Sequence, residues 1–359
     1  VSGFRRSERI SPGPPAESLR NFAIESLALG FRLWYSEAKP FGRKQGASYM
    51  STSLEFRYPS ARAGHTIYAR VWYPDGPPRG AVQIVHGIAE HIGRYEGVAH
   101  VLTEQGFLVC GEDHLGHGRT AEDGPYGLFA PSGGWELAVQ DIISLRRQMG
   151  EQFPRLPYVL LGHSMGSFLT RTYLIDAPGT VDGVILSGTG QEPAPLLAFG
   201  KGLAELECRR LGPQGVSPLV DTLSLGAYNR RFRPNRTSAD WISRDPAAVD
   251  AYLSDPLCRS KPTVSMFRDM MEGLQFIAVR DNLRKMDPST PVLLLSGDRD
   301  PVGGMGKGVR KVQNMFLDAG CTDVTLKLYP GGRHEMFHEV NQQEVFQDLL
   351  AWLEDRLPS

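Results

Sequence analysis

Ser164 stands in Gly162-His163-Ser164-Met165-Gly166, directly after the apolar run Val159-Leu160-Leu161. A serine flanked by glycines, between a predicted strand and a predicted helix, fits a turn sharp enough to expose a nucleophile above a sheet. Such a turn strains the serine backbone, and Gly162 and Gly166 remove side chains that would collide with the neighbouring strand and helix. The hydroxyl then lies at a helix N-terminus, where developing negative charge is favoured. The chemistry this suits is nucleophilic attack on a carbonyl.

A serine hydroxyl is a weak nucleophile, so it needs a base, and the base needs an orienting acid. Behind an elbow of this kind the acid and then the base follow at later strand ends. Among the 9 histidines, only His334 and His338 lie beyond the late strands. His334 follows KLYPGGR, a strand and a flexible glycine pair, and is the expected base; His338 is read as structural. The acid lies just past PVLLLSG, where Asp298 and Asp300 compete. Asp300 reaches further into the loop and is preferred, with Asp298 left to bond loop amides. An oxyanion hole needs two backbone N–H groups, expected from Met165, directly after the serine, and from Ile88 in IVHGIAEH.

These residues need a scaffold. LEFRY and HTIYARVWYP alternate apolar and polar residues around SARAG, which predicts an antiparallel hairpin. From Gly80, buried-type runs (AVQIVHG, GFLVCGED, YVLLG, VDGVILSG) alternate with helix-period stretches, the pattern of a mostly parallel sheet with crossover helices. The rhythm breaks between about Gln191 and Pro291, then resumes with PVLLLSGDRD and VTLKLYP and closes on a helix near Gln342 to Leu357. The expected architecture is an α/β fold, with a mostly parallel central sheet, helices on both faces, and a helical cap over the strand ends where ligand crevices lie. The expected organisation is a core over 50–190 and 291–359, a cap over 191–290, and an N-terminal extension over 1–49. That extension reads either as sequence upstream of a start at Met50 or as a native helical arm around Phe22 to Tyr35.

Composition narrows the setting. The 359 residues are 41% hydrophobic and 22% charged with a formal charge of −1, an ordinary globular balance with no basic stripe for nucleic acid. Four dispersed cysteines without a C-x-x-C pair fit a reducing compartment, and a cytoplasmic location is expected. No apolar run is long enough for a membrane span. LLAFGKGLAEL offers an apolar face for peripheral membrane contact through the cap, although packing inside the cap is the preferred reading. Met266, Met270 and Met271 with Phe267, Leu274 and Ile277 read first as cap packing and second as an acyl-chain wall. Asp113, His114 and His117 are read as a structured loop, and neither metal nor cofactor is expected.

Taken together, HGIAEHIGRY, GEDHLGHGRT, LGHSMGSF and GGRHE resemble the monoacylglycerol lipase and lysophospholipase group of α/β-hydrolases, over roughly residues 50–359. The segment WISRDPAAVDAYLSDPLC is similar to the cap of that group's bacterial members. The resemblance implies a triad of Ser164, Asp300 and His334, an oxyanion hole at Ile88 and Met165, and small-molecule ester or lipid substrates with one acyl chain. Ser167 stands where many relatives carry glycine, a departure expected to alter elbow packing and not chemistry. Two rivals are carried: an aminopeptidase-type amide hydrolase using Asp245, Asp250 or Asp255 to hold an amine, and a non-catalytic binding protein on the same scaffold. The oligomeric state is not legible.

Overall fold

The computed structural model describes residues 52–122, 124–258 and 261–357; the reading of 1–49 lies outside them. Eight strands form one sheet: β1 (Ser53–Pro59), β2 (Thr66–Trp72), β3 (Gly80–Val85), β4 (Phe107–Glu112), β5 (Tyr158–His163), β6 (Gly183–Ser187), β7 (Val292–Gly297) and β8 (Val324–Tyr329). Their order is β1-β2-β4-β3-β5-β6-β7-β8, and β2 alone runs against the rest. Continuous apolar runs mark the central strands because both faces are covered. Every residue of β3, β5, β6 and β7 is buried, whereas edge strand β8, which carries Lys327, is mostly half-buried.

Helices cover both faces. On one face lie α1 (Glu96–Glu104) and α11 (Gln342–Arg356), the latter burying Val345, Leu349 and Trp352 at helical spacing. On the other lie α2 (Gly134–Gln152), α3 (Met165–Asp176) and α10 (Lys307–Ala319). Eleven of the twelve residues of α3 are buried, which suits the helix that carries the elbow.

Between β6 and β7 the chain leaves the sheet and forms α4 (Ala194–Leu211), α5 (Pro218–Leu223), α6 (Leu225–Asn229), α7 (Pro246–Ser254), α8 (Val264–Phe276) and α9 (Arg280–Leu283). Local chemistry starts several of them. Ser217 accepts from Val220 N–H with Pro218 at the first helical position, and Thr263 accepts from Met266 N–H. Buried Asp269 on α8 accepts from the Gly134 N–H at the start of α2, at 3.0 Å, and pins the insertion to the core.

Candidate active site

The elbow has the geometry its glycines require. Ser164 sits at φ 52°, ψ −122°, between β5 and α3, and its N–H donates to Ser187 O at 2.9 Å. A Cβ on Gly166 would strike the carbonyl of Val85, the last residue of β3, and that of His86 just after it, and one on Gly162 would lie 2.7 Å from Gly166 O. Ser167 donates its hydroxyl to Ser164 O at 2.6 Å, so the departure from glycine adds a bond that closes the turn from within. Met165 is the first residue of α3, and its N–H therefore has no intrahelical acceptor. Ile88 lies on the loop after β3, just before Ala89 at a positive φ of 56°. Ile88, Ser164 and Met165 line one cavity.

His334 and Asp300 come together from loops after β8 and β7. His334 Nδ1 is 3.0 Å from Asp300 Oδ1, with both side chains almost fully buried. The carboxylate is held in turn by Val302 N–H at 2.9 Å and Ser296 Oγ at 3.3 Å. Burial alone would push the imidazole pKa down; the Asp300 charge and hydrogen bond, with help from Glu335 and Glu90, overcome it, and the net direction is upward. Asp298 takes the other role open to it and accepts from Gly331 N–H at 2.8 Å, bracing the loop that leads to His334. Ser164 and His334 line a second, smaller cavity together. His338 points away and contacts Arg94 O at 3.1 Å.

Three further groups surround the imidazole, and sequence spacing did not single them out. His163, the elbow residue before the serine, lies 4.7 Å from His334 ring to ring, and burial first, then the His334 charge, pushes its pKa down to about 4. Trp241 of the insertion lies 4.9 Å from His334 on its own account. Beneath them runs a buried ion-pair chain. Arg94 binds Glu90 at 2.7 Å and Glu335 at 2.7 Å, while Glu90 also accepts from Gly87 N–H at 2.5 Å and Tyr95 Oη at 2.9 Å. The Ile88 loop and the His334 loop are thus tied to one guanidinium. Only the Glu90–Arg94 spacing of four residues hinted at it.

The main cavity measures ≈ 260 Å³, near the lower end of volumes that hold small ligands. Its walls are mainly apolar: Phe168, Leu203, Phe267, Met270, Met271 and Leu274 among others. The methionine-rich face of α8 therefore serves both readings, since Met266 and Ile277 pack inside the core. Gln191 is fixed at the rim by Arg171 at 3.0 Å and by the Leu274 carbonyl at 3.1 Å. The smaller cavity measures ≈ 20 Å³, room for about one water molecule.

The loop residues Asp113, His114 and His117 are engaged in packing. Asp113 accepts from Ile92 and Arg119 N–H, both at 2.7 Å, and His114 N–H donates to His86 Nε2 at 3.0 Å. Among the described residues, His91, Asp255 and Cys258 bring ligand-type atoms within 4.8 Å of one another. There, Gly93 N–H meets His91 Nδ1, which leaves the ring proton on Nε2 for Asp255 at 2.9 Å. That arrangement is a hydrogen bond between core and insertion; a metal on Nε2 would need the opposite tautomer.

Comparison with known proteins follows the same line. Residues 76–341 match the family model described as Serine aminopeptidase, S33. The monoacylglycerol lipase of Mycolicibacterium smegmatis is 31% identical over 312 residues, 86% of this chain and 99% of that protein. The monoglyceride lipase of Homo sapiens is 28% identical over 298 residues, 82% of this chain and 88% of that protein. Among solved structures, a highly thermostable carboxyl esterase from Bacillus coagulans in complex with glycerol matches with a TM-score of 0.77 at 30% identity, covering 86% of this chain and 100% of that one.

Proposed function

This chain belongs to the S33 serine aminopeptidase family of α/β-hydrolases, and within it we propose a serine hydrolase of carboxylic esters bearing a single acyl chain, worked by Ser164, His334 and Asp300. The observation that carries this reading is the apolar cavity that opens on Ser164. The names of the relatives, monoacylglycerol lipase and monoglyceride lipase, support a monoacylglycerol-like substrate.

In this account Ser164 Oγ attacks the ester carbonyl carbon while His334 Nε2 takes its proton. Asp300 fixes the ring through Nδ1 and stabilises the imidazolium. The Ile88 and Met165 amides receive the oxyanion, a contribution of about 3 kcal/mol per donor. Collapse of the intermediate releases the alcohol, which leaves with the proton from His334. Water then attacks the acyl-enzyme with His334 again as base, and the free acid departs. The main cavity takes the acyl chain, and the smaller one beside His334 fits the deacylating water.

The amide-hydrolase rival draws less support. An aminopeptidase needs a free carboxylate for the substrate ammonium, and the three aspartates considered for that role are committed elsewhere. Asp245 caps α7 through Ala247 N–H at 2.9 Å, Asp250 pairs with Arg236 at 2.7 Å, and Asp255 with His91 at 2.9 Å. Among the described residues Glu192 is the one acidic residue lining the main cavity, and burial pushes its carboxyl pKa upward, toward the neutral form. Initial rates on p-nitrophenyl butyrate and on aminoacyl p-nitroanilides decide the matter. The ester should be turned over at least 100-fold faster (roughly 3 kcal/mol); turnover of anilides alone would overturn the assignment.

A further inference from the structure

In the proposed hole both donors are backbone amides, so their aim depends on what holds the peptides. Met165 is held as the first residue of α3. Ile88 has no helix behind it: it lies on a loop, and the peptide that carries its N–H follows Gly87. A Cβ on Gly87 would lie 2.7 Å from Glu90 Oε1 and 3.1 Å from Ser164 Cβ, so glycine is what lets this loop come so close. The same glycine leaves the peptide plane free to rotate. Another group must hold it.

His86 does so. Its Nδ1 lies 2.7 Å from Gly87 O. That carbonyl belongs to the same planar unit as the Ile88 N–H, and in a trans peptide the two bonds point in opposite directions. Fixing one therefore aims the other. The Ile88 N–H donates to nothing among the described residues, and Ile88 shares a cavity with Ser164. The ring has the tautomer this needs. The backbone N–H of His114 donates to His86 Nε2 at 3.0 Å, which leaves the ring proton on Nδ1 for the carbonyl.

The support extends one layer further. His114 Nε2 meets His86 O at 3.1 Å and must carry the proton, so its Nδ1 presents a bare lone pair. Glu112 Oε1 faces that lone pair at 3.5 Å, and both atoms are buried with no hydrogen-bond partner. A proton on Oε1 turns two opposed lone pairs into an attraction. Burial favours that form: it pushes the Glu112 carboxyl up to about 8, against the hydrogen bond from Tyr58 Oη, and the His114 imidazole down to about 4.

We propose that His86 is a positioning residue for the oxyanion hole, aiming the Ile88 N–H at the Ser164 cavity through the Gly87 carbonyl, with His114 and Glu112 fixing the ring from behind. The inference rests on the ester-hydrolase reading and deepens it. Glu90 grips the other end of Gly87 through its N–H, at 2.5 Å, so the residue is held on both sides.

The test compares His86→Gln with His86→Asn. The glutamine amide reaches the position of Nε2 and leaves the Gly87 carbonyl unheld, whereas the asparagine amide places an N–H where Nδ1 stands. His86→Gln should lower kcat on p-nitrophenyl butyrate by on the order of 100-fold, the scale of a lost oxyanion donor, with KM changed by less than about threefold. His86→Asn should recover about tenfold of that loss. Dodecyl trifluoromethyl ketone reads the hole itself: Ser164 Oγ adds to its carbonyl carbon, His334 takes the proton, and the carbonyl oxygen becomes the bound anion. Its Ki should rise about 100-fold in His86→Gln, while inhibition by decanoate stays as in the wild type. Glu112→Gln, which keeps an N–H for His114, should be faster than Glu112→Leu. In the wild type, proton–nitrogen correlation spectra should place the ring proton of His86 on Nδ1 and that of His114 on Nε2, a readout that needs no variant to fold. A folded His86→Gln protein with wild-type kcat, equal losses of ketone and decanoate binding, no gain from asparagine, Glu112→Leu as fast as Glu112→Gln, or a proton on His86 Nε2 would overturn the proposal. Failure of the hydrolase reading would show separately, as a wild type that turns over no ester and binds no ketone whichever tautomer His86 holds.

Discussion

Trp241 of the helical insertion lies against His334, with ring centroids 4.9 Å apart and planes 33° from parallel. The contact is clamped from both sides. Arg333 donates to Ser243 O at 3.0 Å and Glu335 N–H to Ile242 O at 2.7 Å, so the base loop and the segment bearing Trp241 are strapped together. The indole lines both cavities, so in the proposed account a substrate meets the insertion and His334 at one place. Trp241→Ala should raise KM for esters by about tenfold and lower kcat less, with Trp241→Phe restoring most of the loss. An unchanged KM in the alanine variant would remove Trp241 from the substrate site.

The two aspartates after β7 should separate cleanly. Asp300 contacts His334 directly, whereas Asp298 reaches it only through the Gly331 amide. Asp300→Asn should lower kcat by on the order of 10⁴-fold, the cost of losing the correct tautomer and its counter-charge. Asp298→Asn should cost about tenfold or less. Steady-state kinetics on p-nitrophenyl butyrate check both, and equal losses would contradict the assignment.

Dependence on pH follows from the direction of the His334 shift. A base must be neutral to accept a proton, and its pKa is raised by the Asp300 charge against the opposing effect of burial. Activity should therefore fall as pH drops, with the midpoint of kcat/KM above the ordinary imidazole value of about 6.5. Residual activity of Asp300→Asn should persist to lower pH, since burial would then be opposed only by the Glu335 and Glu90 charges. An acid limb below 6 in the wild type would contradict this electrostatic picture.

Gly188 tests how closely the base is fitted. Its φ is +60°, and a Cβ there would lie 2.9 Å from His334 Cε1 and 3.1 Å from His163 Cε1. Gly188→Ala should displace the imidazole and reduce kcat by about 100-fold, beyond what its strained backbone costs in stability. Wild-type kcat in a folded Gly188→Ala protein would show that the ring has room to spare.

The Glu90–Arg94–Glu335 chain should matter for stability as well as placement. Coulomb attraction to Arg94 holds both carboxyls below the usual range, against burial that would raise them. Depressed carboxylate pKa values contribute stability that is fully present above the unfolded range near 4.3, begins to fall there, and is lost as pH drops on through the lower folded-state values. Arg94→Met would strand two buried carboxylates and should cost ~3–5 kcal/mol, a fall in Tm of roughly 10 °C. Adding Glu335→Gln should recover part of the loss, which thermal melts at pH 7 and pH 4 would measure.

Much of this was legible in the sequence because the chemistry constrains it locally. Glycines around Ser164, the glycine pair before His334 and the continuous apolar strands each follow from sterics or burial within a few residues. Asp300 could be preferred over Asp298 only on reach, and the Gly331 bond supplies the reason. What stayed hidden depends on distant elements meeting. Nothing near Trp241 marks it as a neighbour of His334, 93 positions later, and nothing in Glu335 shows that Arg94 neutralises it. The helices of the insertion were readable, but whether Phe199 turned inward or outward depended on how α4 seats on α8.

The measurement that bears most directly on the central claim is hydrolysis of 1-monoacylglycerols of graded chain length by wild type and Ser164→Ala, followed by release of free fatty acid. Wild type should turn over these esters, and Ser164→Ala should fall by on the order of 10⁶-fold, to the limit of detection. Undiminished release by Ser164→Ala, or no release by wild type at any chain length, would contradict the account.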